Sequence, residues 1–172
     1  MGWKSEYYKR AVKIGLRLKN SSGVDISDHS LGGGMASVAS MASGKPTWTL
    51  NAEELNAGTL EKYGGTAIGS SKNIQAYRVD GELLTTLQEV NSEQDYELVK
   101  NMLPEPLRNK LGTAMPFTLK EWGALAAPDA VGLPHTLSGG TGSLLDKHGI
   151  DQTIKLIEDE KYDDINTIRG RI

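Results

Sequence analysis

The stretch that most constrains this chain is Asp28-His29-Ser30-Leu31-Gly32-Gly33-Gly34, because of what stands on either side of it. Before it, Val24-Asp25-Ile26-Ser27 alternates apolar and polar residues, the pattern of a short half-buried strand. After it, Met35-Ala36-Ser37-Val38-Ala39-Ser40-Met41 is small, apolar and compatible with a helix. The order strand, glycine-rich turn, helix places a serine at a sharp bend where small neighbours let strand and helix approach closely. A serine hydroxyl there projects over the sheet edge, and the N–H of the next residue, Leu31, aims at the oxyanion of a tetrahedral intermediate, helped by the partial positive charge of the helix start.

The rest of the chain supplies a setting for that bend. Tyr7, Ala11, Ile14 and Leu18 recur at helical spacing and predict an amphipathic helix, ended by the turn residues Asn20 to Gly23. Strands are expected at Pro46 to Leu50 and Asn73 to Val79, with helical turns at Ala57 to Tyr63 and a helix at Leu83 to Val90. Helix is also expected at Tyr96 to Met102. Pro104, Pro106, Pro116, Pro128 and Pro134 break up any long element after it, which suggests an excursion over the core rather than a linker. Asp151 to Lys161 reads as a helix capped by Asp151, with Ile150, Ile154 and Ile157 as its buried stripe, and a polar tail from Tyr162. Strands alternating with helices argue α/β with a mostly parallel sheet.

Composition excludes several classes. At 172 residues the chain is expected to form one domain. A net charge of -3 leaves no basic surface for a phosphate backbone, so no nucleic-acid partner is expected. Without cysteine there is neither a disulfide framework nor a thiolate metal site, and no metal or other cofactor is expected. No signal peptide or membrane span is visible, which fits a cytoplasmic protein or one secreted without a signal peptide. Met1-Gly2 does not start a myristoylation motif, since Glu6 stands where Ser or Thr is needed. Ser138 to Ser143 resembles a phosphate loop in composition alone, lacking its lysine, and the acidic run Glu158-Asp159-Glu160 reads as a solvated helix face. Trp48 and Trp122 read as core or lid residues.

A serine nucleophile needs a base beside it, and histidine suits the task. There are three histidines. His29 adjoins Ser30, so its ring is expected to point away into packing. His135 follows Pro134 in the proline-rich region, and His148 precedes the last helix. Both remain candidates for the base. Asp80 and Glu82, at the end of the third strand, are the candidate acids that would fix the imidazole tautomer, although Asp80-Gly81 is also a common turn pair.

Ser27-Asp28-His29-Ser30-Leu31-Gly32-Gly33-Gly34-Met35-Ala36 resembles the nucleophile segment of lipase class 3-like α/β-hydrolases. Thr47 to Ala52 resembles the family's following strand, which commonly ends in Phe-Asn-Ala. Tyr77 to Leu84 resembles the strand ending at the catalytic acid, and Lys147 to Ile154 the histidine segment before the last helix. The nearest set is bacterial phospholipase-like proteins, including secretion-system effectors. The resemblance implies an ester hydrolase with a Ser30, Glu82, His148 triad in the order usual for the fold, the Leu31 N–H as oxyanion donor, and a lipid or small ester as substrate, with contact to a membrane surface. Two departures stand out. Asp28 replaces the motif's leading glycine, where a side chain is expected to strain the turn. Only 29 residues precede Ser30, so the chain reads as a single partial hydrolase domain truncated at its N-terminus. Either it acts as an esterase, or it is an inactive remnant that binds a partner or lipid, or a C-terminal piece that works only with another chain, with a missing N-terminal chain or another copy as the expected partner.

Overall fold

The computed structural model describes residues 6–53, 55, 58–88, 93–106, 108–109 and 131–170. Helix α1 (Glu6–Leu18) is followed by strand β1 (Ile26–His29), helix α2 (Leu31–Ser43), strand β2 (Thr47–Leu50), the short helix α3 (Thr59–Lys62) and strand β3 (Ile74–Val79). Then come α4 (Leu83–Gln88), α5 (Glu93–Met102), strand β4 (Leu133–Leu137), α6 (Leu144–His148) and the long α7 (Ile150–Arg169). The strands form one all-parallel sheet in the order β1-β2-β3-β4, flanked by helices, the α/β architecture expected from the alternation of elements. In register, His29 stands opposite Leu50, Leu50 opposite Tyr77, and Tyr77 opposite His135. The C-terminal ends of the strands therefore line up along one rim.

The expected stripe of α1 is out of phase. Tyr8, Ala11, Val12 and Gly15 are the buried positions, whereas Tyr7 and Ile14 are exposed. The reason lies in the partner: α1 packs on α2, which meets it with the small residues Ala39 and Ala42, so two backbones can come close. Gly15 sits at the closest point, where an added Cβ would lie 2.5 Å from the Ala39 carbonyl oxygen and 2.7 Å from the Ala42 Cβ. Alanine normally gains about 1 kcal/mol over glycine inside a helix. Forcing two helices apart costs about 1–3 kcal/mol. Gly15→Ala is thus expected to lower the melting temperature by a few degrees in a circular-dichroism melt; a raised melting temperature would show that the helices part freely. The adjoining core is Tyr8, Val12, Val38, Ala42, Leu55 and Leu60, and a second cluster joins Val79 and Leu137 to Leu156 of α7.

Strand β4 falls where loop was expected. Pro134 and His135 obscure its alternation, yet the strand occupies a sheet edge, where a proline that cannot donate on its open side is tolerated. Helix α7 differs too. Its N-cap is Gly149, with no side-chain cap, rather than Asp151; Thr153 and Leu156 are buried while Ile150 and Ile154 are exposed; and the helix runs on through the polar tail. Trp48 is exposed between the buried Thr47 and Thr49, so it is no core residue, and Trp122 lies outside the described residues. No described helix is long and apolar enough to cross a membrane.

Candidate active site

Ser30 sits between β1 and α2 with φ 57° and ψ -128°. Backbone in that region costs a non-glycine residue on the order of 1–3 kcal/mol and survives where surrounding bonds over-determine it. Three bonds do so here. The Ser30 N–H donates to the Leu50 carbonyl at 3.0 Å, and its own carbonyl accepts the Gly33 and Glu53 N–H groups, each at 2.9 Å. The Ser30 hydroxyl does not cap the helix it precedes. Gly33 lets the helix start close to the next strand's exit, since a Cβ there would fall 2.6 Å from that of Ala52. Leu31 is the first residue of α2, a position whose N–H has no partner within the helix.

Asp28 does not carry the strain expected of it. Ser30 and Asn51 are the described non-glycine residues with positive φ, and Asp28 is ordinary strand. Its carboxylate occupies the room left by Gly32, where a Cβ would come within 2.2 Å of Oδ1, and accepts the His29 N–H at 2.8 Å.

The Ser30 hydroxyl lies 3.0 Å from Nε2 of His148, and Nδ1 of His148 lies 2.5 Å from Oε2 of Glu82. Glu82 is almost wholly buried, with 1% of its side chain exposed against 15% for His148. It follows the tight turn at Gly81 and stands immediately before α4, so its carboxylate accepts the N–H of Leu84 at 2.9 Å, the N–H of Thr85 at 2.5 Å and the Thr85 hydroxyl at 2.6 Å. Burial pushes this carboxyl up. The His148 imidazole, then the hydroxyl and N–H of Thr85 and the N–H of Leu84, together outweigh burial and hold it below its ordinary range. An ionised Glu82 can only accept, so Nδ1 of His148 carries a proton and Nε2 is left to accept the Ser30 hydroxyl.

Of the alternatives, Asp80 is exposed, and its N–H donates to the Leu137 carbonyl as the sheet ends. His135 is paired with Oε1 of Gln75 at 2.7 Å and stacked on Tyr77. It stands three strands away from His29, about 14 Å at ordinary strand spacing. Neither belongs to the Ser30–His148–Glu82 network. His29 does not turn away as expected: its Nε2 donates to the His148 carbonyl at 2.7 Å, and the two rings lie 4.9 Å apart. Sequence reasoning also passed over Asn51. It is buried at the end of β2 with φ 43°, and its amide reaches the His148 carbonyl at 3.0 Å and the Thr153 hydroxyl at 3.0 Å. The available signal was an asparagine closing a strand, a residue that tolerates left-handed backbone. Among the described residues no group of three or more His, Asp or Glu side chains could hold a metal ion.

No curated protein matches the chain. Residues 1–142 match a phospholipase-like family model, described as a Tle-like phospholipase domain. That stretch contains Ser30 and Glu82 and ends before His148, so the contact of the imidazole with both is an observation independent of the match. The chain therefore belongs to the phospholipase-like family that carries the Tle-like phospholipase domain.

Proposed function

We propose that this phospholipase-like chain hydrolyses carboxylic esters of phospholipids through an acyl-enzyme on Ser30, with His148 as base and Glu82 as the acid that orients it. The observation that carries the reading is the continuous relay Ser30 Oγ–His148 Nε2 and His148 Nδ1–Glu82 Oε2, at 3.0 and 2.5 Å, reaching a serine on a strained strand-to-helix bend. In the first half-reaction His148 takes the hydroxyl proton as Oγ attacks the ester carbonyl. Glu82 stabilises the imidazolium without taking its proton. The oxyanion forms beside the Leu31 N–H at the start of α2. Collapse breaks the ester bond, and His148 returns the proton to the departing alcohol. Water, deprotonated by the same imidazole, then releases the fatty acid and regenerates Ser30. Leu31 beside the nucleophile and Ile150 just beyond the base are both exposed, which suits an apolar substrate presented at a lipid surface.

The test is covalent. A fluorophosphonate probe is expected to label the intact chain on the peptide containing Ser30, and Ser30→Ala to abolish both labelling and hydrolysis of a p-nitrophenyl ester. A folded wild-type chain that takes no label would overturn the reading in favour of a binding role for the same fold.

A further inference from the structure

We infer that Asn51 and His29 are positioning residues that grip the backbone carbonyl of His148 and thereby set its imidazole between Glu82 and Ser30; the inference rests on the triad reading above. His148 is the last residue of the five-residue helix α6, so its carbonyl is one of those a helix end leaves without an intrahelical partner. Two side chains take it instead. Nε2 of His29, at the end of β1, donates at 2.7 Å, and Nδ2 of Asn51, just past the end of β2, donates at 3.0 Å. A carbonyl oxygen has two lone pairs, and both are engaged.

Asn51 does more than fill space. Its Nδ2 also lies 3.3 Å from the Lys147 carbonyl and 3.0 Å from Oγ1 of Thr153, a hydroxyl in the first turn of α7 that is itself fully buried. Its Oδ1 accepts the Val79 N–H at 2.9 Å, at the end of the strand that leads through Gly81 to Glu82. Its own N–H donates to Tyr77 at 2.8 Å. One buried amide therefore ties the exit of β2 to the exit of β3, which delivers the acid, and to the α6–α7 junction, which delivers the base. His29 adds a tie from the strand that delivers the nucleophile. The residue sits at φ 43°, a backbone that asparagine tolerates better than most residues. A displacement of about 1 Å in such a group costs on the order of 10²-fold in rate. A structural plug would need only satisfied hydrogen bonds; this one is aimed at the main chain of the base.

Asn51→Asp in the full chain separates the two roles. The variant keeps the shape, the tolerance for positive φ and the acceptor for Val79, but turns an oxygen toward the His148 and Lys147 carbonyls. Its kcat for a p-nitrophenyl ester is expected to fall about 10²-fold with KM within about threefold of wild type. The far-downfield NMR signal of the His148 Nδ1 proton, assigned by its absence in His148→Ala, is expected to vanish while the fold, followed by circular dichroism, persists. Should Asn51→Asp not fold, His29 decides: His29→Gln, which retains a donor, is expected to keep that proton and most of kcat, and His29→Leu to lose both. A folded Asn51→Asp with the downfield proton and kcat intact, or equal behaviour of the two His29 variants, overturns the inference. Loss of the proton in Asn51→Asp, in a chain whose wild type shows no Ser30-dependent turnover, upholds the grip on His148 and overturns the hydrolase reading alone.

Discussion

His148→Ala is expected to reduce kcat for a short-chain p-nitrophenyl ester by about 10⁶-fold, to the same floor as Ser30→Ala, because nucleophile and base act as one unit whose losses do not add. The Ser30 hydroxyl lies 3.0 Å from Nε2 of His148, and His29 and His135, the remaining histidines, are engaged with the His148 carbonyl and Gln75. Without the ring, neither of the other histidines is expected to take over the proton. The fold is expected to survive, because the ties from Asn51 and His29 end on the main-chain carbonyl of residue 148 rather than on its imidazole. Steady-state kinetics, the rate of fluorophosphonate labelling and a melt measured together check this. Added imidazole is expected to restore part of the lost rate by entering the vacated space. Near-normal labelling of a folded His148→Ala chain would remove His148 from the mechanism.

Glu82→Gln is expected to lower kcat by about 10⁴-fold, the usual consequence of losing the group that fixes the imidazole tautomer. Here the effect has a second component. The carboxylate accepts from Leu84 and Thr85 at the start of α4 as well as from His148. A glutamine amide must turn an NH₂ toward one set of donors or the other, leaving a buried clash worth about 1–3 kcal/mol. The acid dependence of stability shifts with it. The folded carboxyl titrates below its unfolded counterpart, so its ionised form stabilises the fold at pH values above the unfolded value of about 4.3, and that contribution drains away as pH falls through the lower folded value. Wild type is therefore expected to lose denaturant stability more steeply below about pH 4.3 than Glu82→Gln. Parallel slopes for the two proteins would mean that Glu82 is not held ionised by its partners.

What could be read from residues alone was local. The Ser30 bend announces itself between Val24 and Met41, because a strand pattern, a glycine run and a small-residue helix adjoin one another. The end of a strand confines the proposed acid to Asp80 or Glu82, but the choice between them depends on Thr85 and His148, which only the folded chain brings to the Glu82 carboxylate. The buried faces fall one position from the apolar spacing, at Tyr8 beside Tyr7 and at Thr153 and Leu156 beside Ile154 and Ile157, the last still packed on the core. Large apolar residues dominate the sequence pattern, whereas the actual contacts use Gly15 against Ala39 and a threonine against Asn51. Strand β4 escaped because edge position excuses a proline, and edge position is a property of the sheet rather than of the five residues. His29 was misjudged because adjacency in sequence says nothing of a carbonyl that arrives 119 residues later.

That long separation has a consequence for how the protein comes into being. Ser30 meets His148 across 118 residues and Glu82 meets it across 66, and every described strand pairing is parallel, so each needs a crossover before it can close. Non-local pairing of this kind slows folding, since chain entropy is spent before the contacts form. On the proposed mechanism, a nascent chain released as far as α4 carries Ser30 and Glu82 but not His148, and reactivity toward an ester is expected only once the final helices dock. On that mechanism, covalent capture of the serine is expected to report the last step of assembly.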